Sequence, residues 1–300
     1  MMPIPKRRIR TYNEVGPGGS AIPEQVAAQG DRLAARLKNI RWVVGIASGK
    51  GGVGKSALTA NLAAALASDG LRIGALDADL NGPSLGRMLG VAGARMVSGE
   101  HGIEPPATAT GIRVISMELF QEGDDAPLRW HGPESDGWVW RNVLETGTLR
   151  ELISDVVWGE LDVLLVDVAP GTDRIGRLLD LVPDPAALLL VTTPSGMARR
   201  VVARSVRLVR EARVRKVGLV ENMTSWECPD CGAQTELYEP AGPDLSGQDG
   251  IEQWGAVPFD PRLARSTDEG TPFVLSHPEA PAALAIRGLA AHLLGKLEAE

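Results

Sequence analysis

The sequence predicts an α/β fold with a mostly parallel central sheet that is flanked by helices on both faces. Short and nearly continuous apolar runs alternate with helical patterns from Arg41 onward, and turn residues bound each run. A strand that is buried on both faces is apolar throughout, whereas a strand with one solvated face alternates apolar and polar residues. The chain has 300 residues, of which 44% are hydrophobic, so it is able to build a substantial core.

The elements follow one another in the order expected of parallel strands with helical connections. The predicted strands are Trp42–Ala47, Arg72–Leu76, Ile112–Ser116, Val163–Val166, Ala186–Val191 and Val217–Val220. The predicted helices are Lys55–Ser68, Gly137–Val156, Ile175–Leu181, Gly196–Ala212 and Pro281–Leu297. Residues 41–300 have no internal repeat and no clear linker, which predicts one domain. Residues 1–40 are expected to form a tail, partly disordered or on the surface, with a short helix from about Pro23 to Lys38.

Composition excludes several classes of protein. Lys and Arg number 31 and Asp and Glu number 38, so the net charge of −7 offers no footprint for nucleic acid. No run of about 18 apolar residues is present, so neither a membrane span nor a membrane partner is expected. Basic residues near the start precede no apolar stretch, which argues against a secretory signal. With only two cysteines, the chain is expected to be a cytoplasmic protein without disulfides.

Residues 49–56 match the phosphate-binding pattern GxxxxGK[ST] between an apolar strand and an Ala/Leu-rich helix. Glycines let backbone N–H groups converge on phosphate oxygens, and the helix N-terminus favours negative charge. Lys55 is expected to contact the β- and γ-phosphates, and Ser56 to bind Mg²⁺. The fold is therefore predicted to be a P-loop NTPase, with ATP favoured because no NKxD motif is present. The expected nucleotide-binding residues in this loop are Gly49, Lys50, Gly51, Gly52, Val53, Gly54, Lys55 and Ser56.

Acidic residues follow two of the predicted strands. Asp77 and Asp79 come after the second strand, and Asp167 ends the run 161–167 in a Walker B pattern. Ligands bind at the carboxyl ends of parallel strands, so these carboxylates are candidate functional residues beside the nucleotide. Asp167 is expected near Mg²⁺. Carboxylates that merely cap loops remain the alternative for each of them.

The two cysteines, Cys228 and Cys231, form a CxxC pair followed by Gly232. A thioredoxin-like redox pair would need a helix N-terminus, which the context does not favour. A structural zinc site takes four ligands, and the chain has no second pair. Two cysteines from each of two chains would supply four thiolates, which suit a [4Fe–4S] cluster or a zinc ion between subunits. Two free surface cysteines are the remaining interpretation.

Taken together, these motifs resemble the Mrp/ApbC/Nbp-type iron–sulfur cluster carrier ATPases of the MinD/ParA group, whose Walker A motif is deviant. The resemblance covers most of residues 41–298. The matching stretches are SGKGGVGKS (48–56), DADLNGPS (77–84), W-x-GP (130–133), WGELDVLLVD (158–167), VTTPSG (191–196), ENMTSWECPDCG (221–232) and VPFDPRLARSTDEGTPFV (257–274).

The resemblance implies ATP binding with slow hydrolysis, homodimerisation, and transfer of a [4Fe–4S] cluster to recipient apoproteins. It implies that Lys50 contacts the partner's nucleotide across the dimer interface. It also implies that Asp77 and Asp79 help to place Mg²⁺ and the attacking water, that Asn222 contacts the adenine, and that the loop from Pro258 lies near the base. A zinc-bridged dimeric regulatory ATPase is the alternative, and a partition-type ATPase on membrane or DNA is disfavoured by charge.

The chain departs from the family pattern at several places. In the switch II loop, Ala169 replaces a proline and Asp173-Arg174 replaces a Gly-Asp pair. The segment 241–250 is shorter than expected. The small accessory domain that many bacterial members carry at the N-terminus is expected to be absent, and no N-terminal cluster is expected because the tail has no cysteines. The changes in switch II bear on the hydrolysis rate and on switch coupling rather than on nucleotide binding, whereas the shortened segment bears on the lid over the base or on the dimer contact.

Overall fold

The computed structural model describes residues 22–99, 101–120, 138–182, 184–239 and 251–299. Its strands are β1 (Ile40–Ser48), β2 (Ile73–Asp77), β3 (Val97–Gly99), β4 (Gly102–Glu104), β5 (Arg113–Ile115), β6 (Leu161–Asp167), β7 (Ala187–Thr192), β8 (Val217–Glu227), β9 (Gln234–Glu236) and β10 (Glu252–Phe259). Its helices are α1 (Ile22–Leu37), α2 (Lys55–Ser68), α3 (Leu85–Met88), α4 (Trp138–Ser154), α5 (Thr172–Leu181), α6 (Gly196–Glu211), α7 (Pro261–Asp268), α8 (Phe273–Ser276) and α9 (Pro281–Glu298).

The main sheet confirms the predicted fold class. Its strands lie in the order β10-β8-β7-β1-β6-β2-β5, and every neighbouring pair along this path is parallel. Strand β9 pairs antiparallel with the end of β8, and β3 and β4 form a separate antiparallel pair. None of the described helices is long and apolar enough to cross a bilayer.

Helices cover both faces of the sheet because residues within one strand divide between two buried clusters. Val44 and Ile46 of β1 belong to the cluster that includes helices α2 and α9, whereas Val43 and Ala47 belong to the cluster that includes α4, α5 and α6. Alternating side chains along a strand point to opposite faces. The nearly continuous apolar strands of the sequence are therefore explained by burial on both sides.

The second half of the sheet contains strands that the sequence did not predict. The apolar run Val217–Val220 is only the start of β8, which continues to Glu227. Strand β10 was not predicted because its sequence EQWGAVPF begins with polar residues and contains a glycine and a proline. It lies at the sheet edge beside β8, the position in which a proline within a strand is tolerated.

Helix α1 lies close to the helix predicted from Pro23 to Lys38, and it packs on the domain. Leu33 is buried in the cluster beneath α4. The Arg36 guanidinium donates hydrogen bonds to the carbonyl oxygens of Ser154 (3.2 Å) and His101 (2.5 Å). Residues 1–21, the motif at 130–133 and the segment 241–250 lie outside the described residues, so the domain boundary at residue 40 stays a prediction.

Candidate functional site: a phosphate loop and a cysteine hairpin

The loop at residues 49–54 joins β1 to α2, as the sequence predicts. Gly52 and Gly54 have positive φ angles of 77° and 79°, a conformation that L side chains rarely adopt. A Cβ atom on Gly49 would overlap the side chain of Val201. The glycines are thus needed both for the turn and for close packing, and the loop leads directly into the N-terminus of α2, where an anion is favoured.

Lys55 and Ser56 meet Asp167 at the start of α2. The Lys55 ammonium group lies 2.7 Å from Asp167 Oδ1, and the Ser56 hydroxyl donates to Oδ2 at 2.6 Å. Lys55 is 6% exposed and Asp167 is fully buried, so this is a buried ion pair. Thr59, which the sequence analysis did not identify, donates from its hydroxyl to Asp167 Oδ1 at 2.8 Å. It lies four residues after Lys55 and so on the same face of the helix, which was the available signal.

Asp77 lies beside Asp167, because β2 and β6 pair in parallel with these two residues in register. Its Oδ2 accepts hydrogen bonds from the backbone N–H groups of Ser84 (2.8 Å) and Leu85 (3.0 Å) and from the Ser116 hydroxyl (3.2 Å). Burial, and then the negative charge of Asp167, raise the pKa of Asp77 from 3.8 to about 7, although the N–H donors oppose the rise. Asp77 therefore holds the following loop in place.

Asp79 also organises that loop. Its own N–H donates to Asp77 Oδ1 at 3.0 Å. Its Oδ1 accepts hydrogen bonds from the N–H groups of Asn81 (3.3 Å) and Gly82 (3.1 Å). Two carboxylates at the carboxyl end of β2, on the side of the sheet where the phosphate loop lies, thus hold the loop 77–84 in place. Their part in placing Mg²⁺ and water stays a prediction.

Lys50 differs from Lys55 although both lie in the same loop. Its side chain is partly exposed, and its ammonium group has no hydrogen-bond or ion-pair partner among the residues that the structure describes. The Ser48 hydroxyl donates to the Lys50 carbonyl at 3.0 Å, which fixes the backbone and leaves the side chain unengaged. Lys50 is therefore available to a ligand or a second molecule.

A pocket of about 170 Å³ lies next to the phosphate loop. Asn222 and Pro258, the two residues expected near the base, both line it, together with Met223, Phe259 and the apolar side of α7. The Asn222 amide donates to the Val53 carbonyl at 2.9 Å, which ties strand β8 to the phosphate loop. An apolar cleft with a few polar groups is typical of a site for a flat organic ligand.

The CxxC pair forms the tip of the β-hairpin made by β8 and β9. Cys228 N–H donates to the Ala233 carbonyl and Gly232 N–H donates to the Cys228 carbonyl, each at 2.9 Å, and Gly232 has a φ of 70°. Backbone N–H groups of Asp230 and Cys231 donate to the Cys228 sulfur and lower the pKa of its thiol. Cys231 is exposed and Cys228 half-buried. The tip thus presents two thiols with a loop that stabilises a thiolate.

The hairpin does not hold a complete metal site by itself. Among the described residues, no group of three or more His, Cys, Asp or Glu side chains is arranged to hold a metal ion. The pair follows a strand rather than opening a helix, which is not the setting of a thioredoxin-like redox pair. Further ligands to a metal bound here must come from elsewhere, such as a second molecule.

Comparison with known proteins agrees with these features. The chain is 35% identical over 281 residues to an iron–sulfur cluster carrier protein of Saccharolobus solfataricus, a match that covers 93% of this chain and 89% of the relative. It is 36% identical to the human cytosolic Fe-S cluster assembly factor NUBP2 over 264 residues, covering 86% of this chain and 94% of the relative.

Solved structures show the same fold. A nucleotide-binding protein from Archaeoglobus fulgidus, in complex with ADP and with cobalt found, superposes with a TM-score of 0.67 and 30% identity over 84% of this chain and 94% of its own. The cell division protein MinD of Aquifex aeolicus gives a TM-score of 0.56 with 25% identity, over 85% of this chain and 97% of its own. The family model of ParA, described as NUBPL iron-transfer P-loop NTPase, matches residues 39–294. The chain therefore belongs to this family of iron-transfer P-loop NTPases.

Proposed function

We propose that this protein is an ATP-dependent iron–sulfur cluster carrier, which binds a [4Fe–4S] cluster as cargo and passes it to recipient apoproteins. The observation that carries the proposal is the hairpin tip, which presents Cys228 and Cys231. Among the described residues of one chain, no further side chains complete a metal site around these two thiols. The relatives named as carriers or assembly factors support it. Strand β8 lines the pocket beside the phosphate loop through Asn222 and Met223 and then leads to the cysteines, which supports a link between nucleotide and cluster.

We further propose that the nucleotide is ATP with Mg²⁺. The hydroxyl of Ser56 and the carboxylate of Asp167 lie together, and hard oxygen ligands of this kind suit Mg²⁺. These two residues would hold the ion, which neutralises charge on the β- and γ-phosphates when it is bound. Lys55 would exchange its contact with Asp167 for phosphate oxygens as the nucleotide enters.

Hydrolysis in this proposal transfers the γ-phosphoryl group to water, so that ATP and water give ADP and phosphate. The chain contributes positioning and charge rather than covalent chemistry. Asp77 and Asp79 would fix the loop that orients the water. Lys50, whose ammonium group is unengaged among the described residues, would reach the nucleotide of a second copy and stabilise charge there.

The cluster would be shared across a homodimer. A [4Fe–4S] cluster is typically held by four cysteine thiolates, and each chain contains two cysteines. The N–H donors at Cys228 favour the deprotonated sulfur that a metal requires. An exposed position at a hairpin tip suits delivery, because a recipient can approach the cluster directly. The human relative is named a cytosolic factor, which supports a cytoplasmic location.

Metal analysis tests the proposal against its alternative, a zinc-bridged regulatory ATPase. Iron, acid-labile sulfide and zinc are measured per protomer after anaerobic reconstitution, with the mass of the particle. About four iron and four sulfide per dimer are expected, lost in Cys228→Ser and kept in the matched hairpin control Thr235→Ala. About one zinc per dimer without sulfide would favour the alternative. Unchanged iron in both cysteine variants would contradict the role of the hairpin.

A further inference from the structure

Two cavities lie on either side of the end of β10 and share one wall. The base pocket, of about 170 Å³, lies toward the phosphate loop. A second groove, of about 390 Å³, lies toward the cysteine hairpin, where Trp226, Glu227 and Pro229 line it. Pro258, Phe259 and Asp260 line both cavities. These three residues therefore border both cavities directly.

The wall lies at an irregularity in the pairing of β8 with β10. Asn222 pairs with Val257 and Trp226 pairs with Phe259, so three residues of β8 stand opposite Pro258 alone. Proline has no N–H to donate to the ladder, which explains why the pairing is interrupted there. Within the bulge Met223 has a φ of 58°, a left-handed conformation that a residue with a side chain rarely adopts. Strained residues of this kind often lie in segments with two arrangements.

One continuous stretch of β8 connects the phosphate loop and the base pocket to the groove beside the cysteine hairpin. Asn222 holds the phosphate loop through the Val53 carbonyl, and Met223 lines the base pocket. Trp226 lines the groove two residues before Cys228. On the opposite strand, Asp260 caps helix α7 by accepting the Arg262 N–H at 2.9 Å, so the far end of the wall is anchored.

We propose that Phe259 is a positioning residue that couples occupation of the base pocket to the position of the cysteine hairpin. A base in the pocket packs against one side of the wall and fixes Phe259, and the pairing of Phe259 with Trp226 then fixes the hairpin tip. This inference rests on the proposed nucleotide and cluster sites. In this proposal the bound base, and not the γ-phosphate, changes the position of the hairpin, so ADP and ATP have the same effect. Coupling through the loops near the γ-phosphate would instead require ATP.

Thiol alkylation of the full, metal-free chain tests the coupling. The rate of reaction of Cys228 and Cys231 with iodoacetamide is measured without ligand and with saturating ADP, ATP or pyrophosphate, which occupies only the phosphate loop. ADP and ATP are expected to slow the reaction by the same factor, about fivefold or more, and pyrophosphate is expected to leave it unchanged. Phe259→Ala is expected to abolish the ADP effect, Phe259→Leu to restore most of it, and Leu284→Ala, an exposed residue of α9 that lines neither cavity, to keep it.

Each outcome decides the proposal. An equal effect of pyrophosphate and ADP, an effect of ATP alone, or an unchanged ADP effect in Phe259→Ala would overturn it. The variant Leu263→Ala, which lines only the base pocket, is expected to weaken ADP binding and yet keep the full effect at saturation. ADP affinity is measured on the same metal-free preparations, and iron content is measured on separate samples of the same proteins after anaerobic reconstitution. Bound ADP and normal iron with an unresponsive hairpin therefore contradict only the role of Phe259, whereas loss of ADP or iron binding in the unmodified chain contradicts the proposed function as well.

Discussion

Alanine substitutions at three glycines of the phosphate loop separate two energetic costs of a side chain, which are the strain of a positive φ angle and steric overlap with a neighbouring residue. Gly51 has an ordinary φ and open space where a Cβ would lie, whereas Gly52 has the same open space but a φ of 77°. Gly54 has a φ of 79°, and a Cβ there would overlap the Asn222 side-chain amide. Gly51→Ala therefore adds neither cost, Gly52→Ala adds only the strain of the backbone, and Gly54→Ala adds both backbone strain and steric overlap.

The magnitudes follow from these differences. Gly51→Ala is expected to change the free energy of unfolding by less than about 0.5 kcal/mol. Gly52→Ala is expected to cost about 1–2 kcal/mol, the penalty of a left-handed residue with a side chain. Gly54→Ala adds the displacement of Asn222 from the Val53 carbonyl, a hydrogen bond that contributes about 1 kcal/mol, so the total is about 2–3 kcal/mol.

Urea unfolding of the nucleotide-free chain measures these costs as shifts in midpoint at constant slope. The double variant Gly54→Ala with Asn222→Ala is a sharper test, because removing the amide makes room for the new methyl group. The double variant is therefore expected to be more stable than the sum of the two single effects predicts. Equal stability of Gly52→Ala and Gly54→Ala, or strict additivity in the double variant, would refute the steric reasoning.

Two further predictions concern charged residues at the same edge of the sheet. Lys55→Met is expected to destabilise the chain by about 3–5 kcal/mol because it leaves the Asp167 carboxylate buried without its cation. Lys50→Met breaks no described ion pair and is expected to change the free energy of unfolding by less than about 0.5 kcal/mol. Similar losses of stability for the two variants in urea unfolding would contradict this prediction. The pKa of Asp77 rises from 3.8 to about 7, so the folded chain keeps a proton that the unfolded chain loses. The free energy of unfolding is therefore expected to fall as the pH rises from about 4 to about 7, and Asp77→Asn is expected to flatten that slope; parallel slopes would count against the pKa of Asp77 as its source.

The sequence predicts those parts of the site that depend on local chemistry. The glycines at 49–54 and the apolar strands before them are recognisable because each residue fits its own backbone conformation or burial. Lys55 and Asp167, 112 residues apart, are both expected near the nucleotide because ligands bind at the carboxyl ends of parallel strands, whereas the direct ion pair between them was not predicted. These predictions needed no knowledge of which strands are neighbours.

Other parts depend on tertiary pairing and have little signal in the sequence. Strand β9, Gln234–Glu236, is three exposed polar residues, and it is a strand only because β8 continues beside it. Ser116 contributes to the Asp77 site only because β5 pairs with β2. The cysteine spacing could therefore predict a metal-binding pair, but not that the pair forms the tip of a hairpin.

The two departures from the family pattern in switch II differ in how their part of the loop is attached to the sheet. The Val168 N–H donates to the Ile46 carbonyl at 2.9 Å and the Gly171 N–H donates to the Ser48 carbonyl at 3.0 Å, so β1 holds the first half of the loop by backbone bonds. Ala169, which replaces a proline, lies buried within this held half. Asp173 lies beyond it, exposed in the first turn of α5. Because the backbone rather than the proline fixes the loop beside Asp167, the substitution at 169 is compatible with an intact phosphate site, and any change in hydrolysis is more readily attributed to the charges that begin at Asp173.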